Sequence, residues 1–449
     1  MKNREDRRDK QWTRSLVQAT MLSCSLSFGS LIAVADEPAK PTVFRHDYAR
    51  RGYIDGPAPV GLETVWSFKQ PIHSFLSSPT VVGNRVYCTA SFFDIGDSAG
   101  SIYCLDKATG KQLWEVSEVA GVEVKAVFSS PAITADGRTL VIGEGLHLDK
   151  NSRLICLDAA TGRVRWHIRT PLHLEGSPAI FGDTVVAVAG AIEDNSPRRR
   201  PIGDPGFVFA ASISKGEPLW RYDLADPETS PAISPEGIVY AGSGIHGNAV
   251  IALRSEPDNA LQAMGQKRLV WRRATRFPVT TATSLVGDTI YVGSGTGDFI
   301  MPSERTDGEV LAINRHNGKV LWSRNVGAVV LGPIAVGEKH LYCPVRDGTV
   351  LAIARDDGNV VWRRRISVAA PVMAGPALAG EYVYAVSNDG YLAVLFADDG
   401  GTYEKHYLND PDKPGELGMS VSSPTISRGR IFVGSETGGL RCFNGTQKD

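Results

Sequence analysis

The chain is poor in cysteine: six in 449 residues, no two adjacent and none at CxxC or CxxCH spacing. That argues against thiolate metal clusters and covalent haem attachment. Its nine histidines show no paired metal-ligand spacing, and no GxSxG nucleophile motif occurs. Net charge is only −1, from 48 basic and 49 acidic residues, so nothing in the balance suggests a nucleic-acid partner or an acidic substrate. The one basic cluster, Arg198-Arg199-Arg200, is too short for a binding stripe and reads as a solvated loop. Asp94, Asp97 and Asp194 are isolated carboxylates that read as solvated rather than catalytic. After residue 36 no long stretch keeps a 3.6-residue apolar period, which argues against helical domains.

What is present begins with an unusual N-terminus. Residues 1–15 carry six Lys/Arg against three Asp/Glu, and residues 16–35 carry no charge. The stretch ends Ala33-Val34-Ala35 before Asp36. A basic region, an apolar core and a small-x-small site read as a cleaved signal peptide at 1–35, giving a periplasmic or secreted protein. The alternative is that the uncharged segment stays as a membrane anchor. Lipid attachment at Cys24 fits poorly, because Met21-Leu22-Ser23 precedes it. The mature chain would hold 42 basic and 46 acidic residues (48−6 and 49−3), net −4, with no integral membrane span. Five cysteines would remain, an odd number that leaves at least one thiol unpaired. Cys88 and Cys104, on successive strands, are expected to face one another within disulfide reach.

The rest of the chain is repetitive. CLDKATGKQLW at 104–114 returns as CLDAATGRVRW at 156–166. Tryptophans fall at 66, 114, 166, 220, 271, 322 and 362, with intervals of 52, 54, 51, 51 and 40 from Trp114 onward. A small residue and proline precede each block, at Pro79, Pro131, Pro178, Pro231, Pro333, Pro376 and Pro424, with a degenerate TATSL at Ala282 as the fifth of eight copies. Each copy holds four short alternating runs punctuated by Gly, Asp and Asn, the pattern of strands and hairpins. RDG at 346–348 and NDG at 388–390 read as hairpin tips. Four strands repeated at this period describe propeller blades. The expected fold is an all-β, eight-bladed propeller of four-stranded antiparallel blades. The last copy lacks a fourth strand, and Glu63–Phe68 near the N-terminus supplies one with Trp66 in place, closing the ring and removing exposed edges. The expected organisation is a signal at 1–35, a lead-in at 36–60, the propeller at 61–446 and a tail at 447–449.

The recurring D-x-x-T-G-x-x-x-W pattern resembles the tryptophan-docking repeat of the pyrroloquinoline-quinone (PQQ) propeller family, over about residues 60–446. The resemblance implies that Trp66, Trp114, Trp166, Trp220, Trp271, Trp322 and Trp362 dock on turns of neighbouring blades. Burial of about 200 Å² of indole with a partner for its N–H makes physical sense of this. Gly110 and Gly162 permit the tight turn, and Asp106 and Asp158 accept local N–H bonds. Copy four loses the motif, and copy seven has Tyr403 near the tryptophan position. Docking is therefore expected to be loosest at blades 4 and 7.

The family holds both PQQ- and Ca²⁺-dependent dehydrogenases and cofactor-free, protein-binding propellers of the BamB type. The absence of a Cys-Cys pair, a haem domain and long insertions favours the second kind. The expected protein is a monomeric, non-catalytic envelope scaffold without cofactor, partnered by envelope proteins such as outer-membrane assembly components. A PQQ-dependent oxidoreductase is the alternative. Intervals between the second and third strands are long in blades 1, 2, 3 and 5: Cys88 to Ile102 (14), Ile142 to Leu154 (12), Ala187 to Val208 (21) and Val292 to Val310 (18). In blades 6 to 8 each is 7 (Cys343 to Val350, Ala385 to Leu392, Val433 to Leu440). These loops share one face, and their tips include Phe92, Phe93, Phe299, Ile300 and Met301 as candidate protein-binding residues.

Overall fold

The computed structural model describes residues 42–94, 97–192, 200–297 and 307–448, all in the unit Lys40–Asp449. Eight antiparallel sheets each hold four strands in radial order. In blade 1 the order from the axis outward is Thr80–Val82, Arg85–Asp94, Asp97–Asp106 and Gln112–Val116. The innermost strands are two or three residues long, because close approach around the axis leaves no room for more. The second and third strands are buried on both faces, as in Thr139–Gly143 and Tyr382–Ser387. Their side chains fill the gaps between sheets: Tyr87, Cys104 and Trp114 pack with Leu140, Ile142 and Ile155 between blades 1 and 2. The outer strands alternate. Val360–Arg365 buries only Trp362 and faces solvent elsewhere.

Ring closure uses both ends of the chain. Ala58–Phe68 pairs antiparallel with Leu440–Lys448, and Trp66 lies opposite Cys442. The strand is longer than the Glu63–Phe68 run expected, and its partner extends two residues past 446.

The segment read as a lead-in is instead part of the ring. Its carbonyls at Thr42, Tyr48, Ala49, Arg51 and Gly52 accept N–H groups from Ile133, Ile233, Leu285, Val336 and Leu378, the innermost strands of blades 2, 4, 5, 6 and 7. Tyr53–Ile54 then adds a fifth, parallel strand inside blade 7. Arg50 is wholly buried at the centre. Its guanidinium donates to the carbonyls of Pro231 (2.6 Å), Ser177 (2.8 Å), Pro178 (3.1 Å) and Phe44 (3.2 Å). Burial lowers its pKa to about 9, so it remains a cation at neutral pH, held by carbonyl dipoles. Residues 42–54 thus seal the axis, using up N–H groups that no neighbouring strand can reach. Sequence pattern alone could not show this, because the segment has no alternation and works through backbone carbonyls.

Candidate functional site

The seven tryptophans form one set. Each indole N–H donates to a carbonyl in the turn between the third and fourth strands of the next blade. The acceptors run from Lys107 (Trp66, 3.1 Å), Ala159 (Trp114, 3.2 Å), Ile213 (Trp166, 2.7 Å) and Ser255 (Trp220, 2.8 Å) to Arg315 (Trp271, 2.8 Å), Arg355 (Trp322, 2.8 Å) and Ala397 (Trp362, 2.9 Å). Gly162 has φ 74°, and a Cβ there would meet the Trp114 ring at 2.9 Å; Gly110 stands in the same relation to Trp66. Asp106 and Asp158 build the turn by accepting the backbone N–H and hydroxyl of Thr109 and Thr161. The Arg165 guanidinium and the Thr161 hydroxyl hold the Asp158 carboxyl at about 2. These residues pack blade against blade, and none lines the cavity at the centre of the ring.

Two exceptions have physical explanations. Docking at blade 4 is not loose: Trp220 is buried, and the Arg268 guanidinium, which follows the inserted helix Asp258–Ala263, lies 4.3 Å over its ring where the other turns place glycine. In blade 7, register puts Glu404, opposite Val394, at the tryptophan position; Tyr403 is its neighbour. Blade 8 has no turn between its third and fourth strands, since these come from opposite ends of the chain, so an indole would find nothing to dock on. Glu404 instead accepts the N–H groups of Gly61 (2.8 Å) and Leu62 (3.0 Å).

The expected Cys88–Cys104 bond is excluded by register. Cys88 lies opposite Tyr103 and Cys104 opposite Tyr87, so the two thiols point to opposite faces of the sheet. Both are free, as are Cys156, Cys343 and Cys442. Burial pushes Cys104 up to about 11 and Cys156 up to about 12, which leaves them inert.

The loops between second and third strands share a face with the links that enter each innermost strand. Of the proposed tips there, Phe92 is half-buried with its ring 6.2 Å from His73. Phe93 lies in Arg85–Asp94, but its side chain, like Phe299, Ile300 and Met301, falls outside the described residues. Other apolar groups mark this face. The five most exposed large hydrophobic side chains among the described residues are Val368 (88%), Ile72 (78%), Leu148 (71%), Leu417 (60%) and Ile202 (52%). Every one lies in such a loop or link: Ile72, Val368 and Leu417 at three blade junctions, Leu148 and Ile202 in the loops of blades 2 and 3.

The same face opens at its centre into a funnel of about 110 Å³, floored by Phe44 and lined by every blade, with Ser78, Ser130, Ser177, Ser230, Met373 and Met419 among the lining residues. Among the described residues two carboxylates, Glu175 and Glu228, line it, and no lysine or arginine does. A bare tricarboxylate quinone would meet two glutamates and no lysine or arginine among the described lining residues. Beside the glutamates stand His147 and His173. His147 Nδ1 lies 2.6 Å from Glu228 Oε1, and His173 Nδ1 lies 3.6 Å from Glu175 Oε1. Burial and the neighbouring Glu228 raise the Glu175 pKa, and burial lowers that of His173. No spacing signal in the sequence marks this cluster, because its members come from three separate loops.

Against this geometry, the family model described as outer membrane protein assembly factor BamB matches residues 63–148, 98–256 and 257–449. The chain belongs to this PQQ-like propeller family. A BamB of Shewanella oneidensis is 22% identical over 331 residues, covering 70% of this chain and 71% of that protein. The dehydrogenase subunit of a quinone alcohol dehydrogenase from Gluconobacter oxydans is 23% identical over 269 residues, covering 55% of this chain. The chain spans only 31% of that dehydrogenase subunit's length. Among solved structures, BamB from Moraxella catarrhalis superposes with TM-score 0.62 at 16% identity, covering 86% of this chain and 99% of that one. A europium-containing methanol dehydrogenase gives 0.66 at 14% identity, covering 90% and 91%. At these identities the structures show a shared propeller fold. Among the described residues, no helix is long and apolar enough to cross a membrane.

Proposed function

We propose that the chain is an exported, non-catalytic propeller that binds proteins in the cell envelope, in the manner named by its outer membrane protein assembly relatives. The observation that carries this reading is the gathering of the five most exposed apolar side chains on the one face that the long loops build up. Scattered surface hydrophobics are ordinary, but a shared face rimmed by polar loops suits a protein partner. The matches to quinone alcohol dehydrogenases favour a dehydrogenase as the second reading. The lack of a lysine or arginine among the described funnel-lining residues weighs against it.

Photo-crosslinking residues placed at Leu148, at Val368 and, on the opposite face, at Phe181 test the proposal in the native envelope. Adducts are expected at Leu148 and Val368 and not at Phe181. Replacing Leu148 and Val368 with serine should change stability by about 0.5 kcal/mol or less, because neither side chain is packed, while reducing the adducts formed from neighbouring probes. Equal labelling of both faces would defeat the assignment.

A further inference from the structure

The histidines and glutamates at the funnel wall include one buried ring nitrogen, Nδ1 of His173, that no hydrogen bond satisfies. His173 is wholly buried. Its Nε2 faces the carbonyl of Ala191 at 3.1 Å, and a carbonyl can only accept, so Nε2 carries the proton. In the neutral ring Nδ1 is then a bare lone pair, and it has no hydrogen-bond partner. It points toward a carboxylate oxygen of Glu175, 3.6 Å away. Two acceptor atoms held face to face in a buried wall call for a proton or a metal ion between them. One ring nitrogen of His147 completes a set of three ligand atoms, with His173 and Glu175, all within 4.8 Å of one another.

The surroundings are those a metal site uses. A ligating histidine commonly gives its other N–H to a backbone carbonyl, which fixes the tautomer; His173 does so to Ala191. A second carboxylate commonly braces another histidine, and Glu228 stands 2.6 Å from His147 Nδ1. Gly190 makes room: a Cβ there would collide with the His173 ring and press on the Glu228 side chain. Glu175 and Glu228 both line the funnel, so an ion could enter from solvent and keep one open position.

We propose that His147, His173 and Glu175 bind one divalent transition-metal ion of the zinc class, with Glu228 orienting His147 and the fourth position facing the funnel. Two imidazoles and a carboxylate suit zinc or cobalt rather than calcium, which prefers oxygen alone. Bonds of about 2.0–2.2 Å in tetrahedral geometry put ligand atoms roughly 3.3–3.6 Å apart. The His173–Glu175 separation already meets this, and only the wider distances of the set need to contract. The site does not depend on which partner the exposed face binds.

The test uses the full-length, untagged protein, stripped with chelator and then titrated with Zn²⁺ or Co²⁺. One ion per chain is expected by elemental analysis after gel filtration, with visible Co²⁺ absorption typical of low coordination number and no displacement by excess Ca²⁺. His147→Ala, at a partly exposed loop position, should bind about a hundredfold more weakly or worse while keeping the wild-type melt. Glu175→Gln should do the same, and His316→Ala, at a distant exposed histidine, should change nothing. Retention of no ion above the stripped background, or Zn²⁺ binding unchanged in folded His147→Ala, would overturn the proposal.

Discussion

Deleting residues 42–68 should abolish cooperative folding of the whole ring rather than loosen one edge. The deletion removes the outer strand of blade 8, Ala58–Phe68, and with it the closure against Leu440–Lys448. It also removes the acceptors of five N–H groups on the innermost strands of blades 2, 4, 5, 6 and 7. Each buried N–H left without a partner costs about 1–3 kcal/mol, so these five alone rival the 5–15 kcal/mol by which a typical domain is stable. The new edge in blade 8 would also offer itself for intermolecular pairing. Circular dichroism melts and limited proteolysis decide the matter. A truncated protein that melts cooperatively at the full-length temperature would show that neither the closure nor the axial segment matters to the ring.

Trp114→Ala should cost about 3–5 kcal/mol, the range for truncating a large buried aromatic. The ring is buried between blades 1 and 2, packs on the Gly162 turn and donates to Ala159 at 3.2 Å. Trp114→Phe should retain most of the packing and lose mainly that hydrogen bond, at about 1 kcal/mol. Urea unfolding of the two variants separates packing from hydrogen bonding. If alanine costs no more than phenylalanine, the indole is not the wedge between blades that its surroundings indicate.

The repeat was legible because each blade writes its own strands and turns: the tryptophan intervals, the small-Pro starts and the Asp…Thr-Gly turns all concern neighbours in sequence. The closing strand was legible because a copy was visibly incomplete. The pairing of Cys88 with Cys104 failed on a one-residue matter, since a register change of one moves a side chain to the other face. The Glu404 cap was missed because its reason lies in blade 8, which has no turn to receive an indole. The axial segment was missed because carbonyl acceptors carry no side-chain signature. The cluster of His147, His173, Glu175 and Glu228 was missed because the ring, and no local spacing, brings its three loops together.

The proposed role makes the propeller a binding scaffold rather than a quinone enzyme. Titrating the exported protein with PQQ and Ca²⁺, and following quinone absorbance together with dye-linked alcohol oxidation, tests that most directly. The scaffold reading, with no lysine or arginine among the described lining residues to hold a quinone carboxylate, predicts no stoichiometric quinone complex and no turnover above a protein-free control. A one-to-one quinone–calcium complex that oxidises an alcohol would contradict it.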